Sequence, residues 1–297
     1  MFEIETSSCG GNQTTLAECS LEILRKTKCG NFGLVFCGIL AVVTNTVILK
    51  VITSRKSLHT PCYWLVTQLA IADWLVGAAF AVTGVKRLLR HYFEVPEIAS
   101  QVHCTWEMFL PHFSQAASLT LALMIALERL LATIHPIQYR SMGYRFTISL
   151  TAFGWLYALS EGCFMFYKTS HTKLITNCYL SATITPGFYN FENYHKLFLV
   201  TLITLIYAAI SLKIWLEIRK ARRENVSLAA VKRQLGLKVF RALAVVGVLY
   251  LVTQIASRGF LALLGHYSES ANRPYYAIYP RALIVLNSGV NLFVYLG

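Results

Sequence analysis

The chain has almost no aspartate. Asp73 is the only one in 297 residues, which excludes a membrane protease built on paired intramembrane aspartates. Charge of any kind is scarce, at 14% of residues, where soluble domains carry roughly a quarter. No His-Glu-x-x-His and no Gly-x-Ser-x-Gly occurs, so the usual zinc-hydrolase and serine-hydrolase patterns are missing. Internal repeats are absent, which argues against a transporter built from two halves. The last apolar block contains no lysine for the Schiff base of a light-driven pump. The charges that exist interrupt apolar blocks instead of forming a soluble basic face, which argues against nucleic acid as a partner despite a net charge of +13.

What fills the chain instead is hydrophobic, 56% of residues. A bilayer core about 30 Å thick is spanned by roughly 20 apolar residues. Seven such blocks can be read, at about 32–53, 61–85, 101–134, 146–167, 193–217, 235–264 and 275–297. The expected architecture is an all-α bundle of seven transmembrane helices over residues 32–297, preceded by a polar extracellular segment, 1–31. No cleavable signal peptide is expected, so the first apolar helix serves as the insertion signal. Asn12 opens an Asn-Gln-Thr glycan acceptor. The sequon at Asn225 is expected to face the cytoplasm and stay unused.

Orientation follows from basic residues near helix ends. Arg55, Lys56, Arg140, Arg145 and the cluster from Arg219 to Lys238 lie on one side. The other side holds fewer basic residues in its loops and most of the acids. The first side is therefore cytoplasmic, against the anionic inner leaflet, and the N-terminus is outside.

Polar groups inside a membrane are costly, so each is a functional candidate. Asn45, Asp73 and Ser118 lie well inside the first, second and third blocks, and Asn287, Ser288 and Asn291 inside the seventh. A carboxylate among hydroxyl and amide oxygens suits a small hard cation or a water network. Polar glue between helices is the alternative. From Cys104 to Arg129 the third block would span roughly 37 Å as a helix, placing Cys104 at the outer surface and Arg129 at the inner one. Cys178 falls in the next outer loop, within reach of a bridge to Cys104. Glu128 and Arg129 can form a local charge pair.

Taken in order, these residues resemble those of rhodopsin-like (class A) G-protein-coupled receptors over nearly the whole chain. The matching positions are Asn45, Leu69 to Asp73, Cys104, Glu128-Arg129-Leu130, Pro136, Tyr139, Trp155, Cys178, Tyr207 and Asn287 to Tyr295. The run Glu128 to Pro136 is similar to divergent nematode serpentine chemoreceptors. The resemblance implies a plasma-membrane receptor that binds an extracellular ligand and activates a heterotrimeric G protein. It implies that Glu128, Arg129, Tyr207 and Tyr295 form the cytoplasmic switch. It also implies a sodium or water site at Asn45, Asp73, Ser118, Asn287, Ser288 and Asn291, and no other cofactor.

Some positions depart from the family pattern. Leu292 stands where the family usually has proline, the fifth block has no proline, and only Tyr250 replaces the aromatic toggle of the sixth. Pro111 occupies the position where amine receptors carry aspartate, so an amine ligand is not expected. The expected pocket is Glu107, Pro111, His112, Gln115, Tyr250 and Arg281, with Arg281 placed either to pair with an acidic small molecule or peptide or to reach the outer headgroups or Glu107. A non-signalling orphan or decoy receptor, or a seven-helix transporter or channel, is the rival reading.

Overall fold

The computed structural model describes residues 13–167, 169, 173–223, 251–267 and 273–296. Among them, helices follow one another almost without pause. α1 spans Gln13–Lys26, α2 Lys28–Ser54, α3 Pro61–Tyr92, α4 Gln101–Ile134, α5 Pro136–Phe164 and α6 Leu180–Thr183. α7 spans Pro186–Arg223, α8 Ala256–Tyr267 and α9 Arg273–Leu296, with a π-helical turn at Leu251–Ile255 leading into α8. Among the described residues, four helices are long and apolar enough to cross a membrane: α2, α3, α4 and the Gly187–Glu217 part of α7. With α5, the π turn with α8, and α9, they form the all-α bundle of seven transmembrane helices, the sixth described from Leu251 onward. The glycan site Asn12, the toggle candidate Tyr250 and the third inner loop beyond Arg223 lie outside the described residues.

Local sequence sets the helix ends. Pro61 occupies the first turn of α3, where a missing N–H costs nothing. Ser100 caps α4 by accepting a hydrogen bond from the His103 amide. α5 is two helical pieces joined at Gly143, whose φ of +59° suits a residue without a β-carbon.

Close packing uses small residues, as expected where lipid removes the hydrophobic drive between helices. A β-carbon on Gly38 of α2 would meet the Gly77 carbonyl oxygen of α3 at 2.6 Å, and one on Gly77 would meet the Gly38 oxygen at 2.6 Å. The two backbones touch there, and any larger side chain would force them apart. The main core joins Ile48, Leu65, Leu69, Leu121, Ile125, Val200 and Ile203 from α2, α3, α4 and α7. Large apolar side chains such as Phe36, Val82, Phe153, Phe198 and Leu205 point outward, where lipid is their solvent.

The segments between blocks are more structured than polarity suggests. α3 runs to Tyr92 and α7 from Pro186 to Arg223, beyond the expected 61–85 and 193–217. α5 begins at Pro136, so the second inner loop is helical. The N-terminal segment carries α1. Outside the membrane, β1 (Ile98–Ser100) pairs antiparallel with β2 (Leu174–Thr176).

Candidate functional site: a polar chain through the bundle

At the outer end the chain is tied into a cover. Cys104 at the top of α4 is joined to Cys178 after β2, both fully buried, with Cα atoms 4.9 Å apart. Arg87 of α3 donates to the Cys178 carbonyl at 2.7 Å, and its guanidinium lies 4.0 Å from the centre of the Tyr179 ring. Glu97 accepts from the Cys178 amide at 3.2 Å and meets Lys86 and Arg90 at 3.2 Å each. α1 and the residue after it join this cover: Ser20 accepts from the Glu97 amide at 2.9 Å, and Thr27 shares a hydrogen bond with the Tyr179 hydroxyl at 3.0 Å. Cys19 is also disulfide-bonded, and Cys29 is a free thiol.

Beneath the cover, a polar chain crosses the bundle. Arg258 Nε donates to Gln254 Oε1 at 3.2 Å, and Gln254 Nε2 to the Ile284 carbonyl at 3.3 Å. Thr253 donates to Asn287 Oδ1 at 2.9 Å. Ser118 donates to Asp73 Oδ1 at 2.5 Å. Asn45 Nδ2 donates to the Ala41 carbonyl at 2.8 Å and the Ser288 carbonyl at 2.9 Å. Gln115, Ser118, Gln254, Arg258, Asn287 and Ser288 line a cavity of about 10 Å³ among them, the room that about one water needs. Asp73 and Asn45 are fully buried, and Asn45 Oδ1 has no hydrogen-bond partner. An all-oxygen donor set with a carboxylate and a spare amide oxygen suits a hard monovalent cation or a water. The structure brings five expected network residues into one region; the Asn291 side chain lies outside the described residues.

At the inner end, Arg129 Nε donates to Glu128 Oε2 at 2.7 Å, and a second guanidinium nitrogen to Oε1 at 3.4 Å. Glu128 is fully buried and also accepts from the Tyr139 hydroxyl. Lys213 of α7 donates to the Thr133 carbonyl one turn below Arg129. Arg129 is thus held by its own neighbour. Tyr207 packs against the main core, and the Tyr295 side chain lies outside the described residues.

The expected pocket residues do not share one cavity. Gln115 lines the central cavity, and so does Arg258. Arg281 is half-buried on α9 and does not line it. Glu107 and Pro111, one turn apart on the same face of α4, line a separate groove of about 500 Å³ against α3, where Glu107 pairs with Lys86. His112 is about 100° around the helix from Pro111, so it points elsewhere. It enters a buried cluster with Glu161 of α5 and Glu192 and Lys196 of α7. Sequence reading missed those three. The available signals were a carboxylate inside an apolar block, Glu161, and an acid–base pair at i,i+4 spacing, Glu192 and Lys196.

A family model described as serpentine type 7TM GPCR chemoreceptor Srsx matches residues 38–297. Among curated relatives, the chain is 29% identical to human olfactory receptor 4L1 over 125 residues, 40% of this chain and 39% of that protein. It is 32% identical to human olfactory receptor 52Z1P over 104 residues, 35% of this chain and 34% of that protein. It is 27% identical to mouse trace amine-associated receptor 7e over 205 residues, 64% of this chain and 53% of that protein. The chain thus spans between about a third and about half the length of these relatives.

Proposed function

The chain belongs to the serpentine-type seven-transmembrane G-protein-coupled chemoreceptor family Srsx, and on that premise we propose that it binds an extracellular small molecule and activates a heterotrimeric G protein. It is a multi-pass protein of the plasma membrane. The observation that carries the proposal is the polar chain from Arg258 to Asp73 and Ser288. It begins at a cavity under the outer cover and ends on α4 at Ser118, roughly 16 Å of helix above Arg129. Asp73, Ser118 and Asn45 are suited to hold a sodium ion or a water that ties α2, α3 and α4 together in the resting state. A ligand with an acidic or hydrogen-bond-accepting group would pair with Arg258 and Gln115 in a state in which the bundle is wider there, since the cavity described has room for about one water. Pro111 offers no carboxylate to an amine. Such a ligand shifts a two-state bundle by binding one state more tightly. The π turn Leu251–Ile255 is a natural place for the sixth helix to pivot, since its backbone ladder is already broken there. Opening of the inner end would free Arg129 from Glu128 to meet the G protein.

The test is a panel of small acids, amides and amines applied to cells that express the receptor with a promiscuous G protein. Acids or amides should activate it. Arg258→Gln, at equal surface expression, should reduce their potency about tenfold to a hundredfold, the weight of a charge-assisted hydrogen bond of roughly 1.5–3 kcal/mol. Activation by amines alone, or a variant with parental potency for every active compound, would contradict the ligand assignment.

A further inference from the structure

The charged cluster on α4, α5 and α7 is no part of the polar chain just described. His112 lies two turns below Cys104, about 12 Å into the outer half of the bundle. Its side chain is 0% exposed, with Glu192 at 4%, Lys196 at 1% and Glu161 at 11%. Charges this deep persist only when they are paired or coordinate an ion.

The pairing here is incomplete. The Lys196 ammonium sits between the other three, 2.5 Å from Glu192 Oε1, 3.4 Å from Glu161 Oε1 and 3.4 Å from His112 Nδ1. Even so, His112 Nε2, Glu161 Oε1 and Glu192 Oε2 are buried without a hydrogen bond. With a neutral imidazole, two carboxylates and one ammonium leave a net negative charge inside the bundle.

The spacing points to what is missing. His112 Nε2 lies 3.6 Å from Glu161 Oε1, too long for a hydrogen bond. It is close to the roughly 3.4 Å between two ligands of a tetrahedral zinc with bonds of about 2.1 Å. One donor atom from each of His112, Glu161 and Glu192 lies within 4.8 Å of the other two. An imidazole with carboxylates is a zinc-type donor set, and the nitrogen favours transition metals over calcium or magnesium. Glu192 Oε1 is 3.2 Å from Nδ1, and the ammonium is 3.4 Å from the same nitrogen, so Nδ1 is the ring nitrogen that faces the ammonium's place.

We propose that His112, Glu161 and Glu192 bind a divalent transition-metal ion, and that Lys196 is a tethered cation that fills the site when the metal is absent. The ion takes the place of the ammonium, which turns aside or gives up its proton. Two carboxylates and one divalent ion are then electrically neutral together. Glu161, the most exposed member, marks the entry side.

The experiment uses the full chain, purified in lipid nanodiscs and stripped of metal. Cobalt(II) is the probe, because its visible absorption band reports inner-shell ligands, and zinc is the competitor. The expected result is one saturable cobalt site, displaced by zinc, with affinity at least tenfold lower in His112→Ala and in Glu161→Gln. Lys196→Met should bind cobalt at least tenfold more tightly, because the competing cation is gone. Should Lys196→Met be poorly produced, zinc present during extraction should raise its yield and thermal midpoint. Absence of a ligand-field band on the parent, unchanged affinity in His112→Ala, or a Lys196→Met protein that zinc neither binds nor stabilises would overturn the proposal.

Discussion

In metal-free buffer, Lys196→Met should destabilise the receptor by about 3–5 kcal/mol and remove most of it from the cell surface. The lysine is 1% exposed and lies within 3.4 Å of both Glu161 and Glu192. Methionine fills nearly the same volume, so little packing is lost. What changes is that two buried carboxylates lose the ammonium that pairs with both, and breaking a buried pair from one side costs about that much. Removing one carboxylate together with the ammonium costs less, because Glu161 alone is then left without its cation instead of both acids. Lys196→Met with Glu192→Gln should therefore recover at least half of the lost stability. The measurement is the thermal midpoint of detergent-solubilised receptor, beside surface staining of an extracellular tag. A single variant with the parental midpoint would show that the cluster does not depend on its ammonium.

Cys104→Ser should also reduce the folded surface receptor severely, with a stability loss of about 2–4 kcal/mol. The bridge closes 74 residues, but much of that length is α4 and α5, which stay inserted when the cover opens. The loss therefore falls on the outer cover. Cys178 is where Arg87 and Glu97 grip the second outer loop through its carbonyl and amide. Releasing it loosens the Glu97 contacts that hold α1, β1 and the ends of α3 in place. Because one bond serves both residues, Cys104→Ser, Cys178→Ser and the double variant should show nearly equal losses. Additive losses, or parental surface levels and ligand response in any of the three, would contradict this role.

The parts of the fold legible in the sequence were those that the bilayer dictates. Blocks of about 20 apolar residues mark helices because no other backbone satisfies its hydrogen bonds in lipid. Hydropathy stops at the headgroups, whereas helices do not. Lys86, Arg87 and Arg90 look like loop residues, yet α3 carries them beyond the membrane because Glu97, Glu107 and the Cys178 carbonyl meet them there. α1 and the β1–β2 pair escaped notice because their partners are distant in sequence. In the polar chain, Asp73 and Ser118 stood out because a buried carboxylate or hydroxyl among leucines has few explanations. Gln254 and Thr253 did not, because the sixth block lacks the family's usual landmarks. The His112 cluster was hidden for another reason. Each of its members sits on a helix of ordinary appearance, and only the packing of α4 against α5 and α7 brings them together.

Signalling through Arg129 is the claim on which the rest depends, and it can be measured directly. Arg129→Ala should be compared with the parent receptor at matched surface expression, with nucleotide exchange on the G protein as readout and an activating compound from the panel as stimulus. The proposed mechanism predicts at least a tenfold loss of exchange rate with ligand affinity retained, because in it the guanidinium released by Glu128 is the group that meets the G protein. Exchange at the parental rate would mean that the Glu128–Arg129 pair is a structural contact and that the bundle does not signal through it.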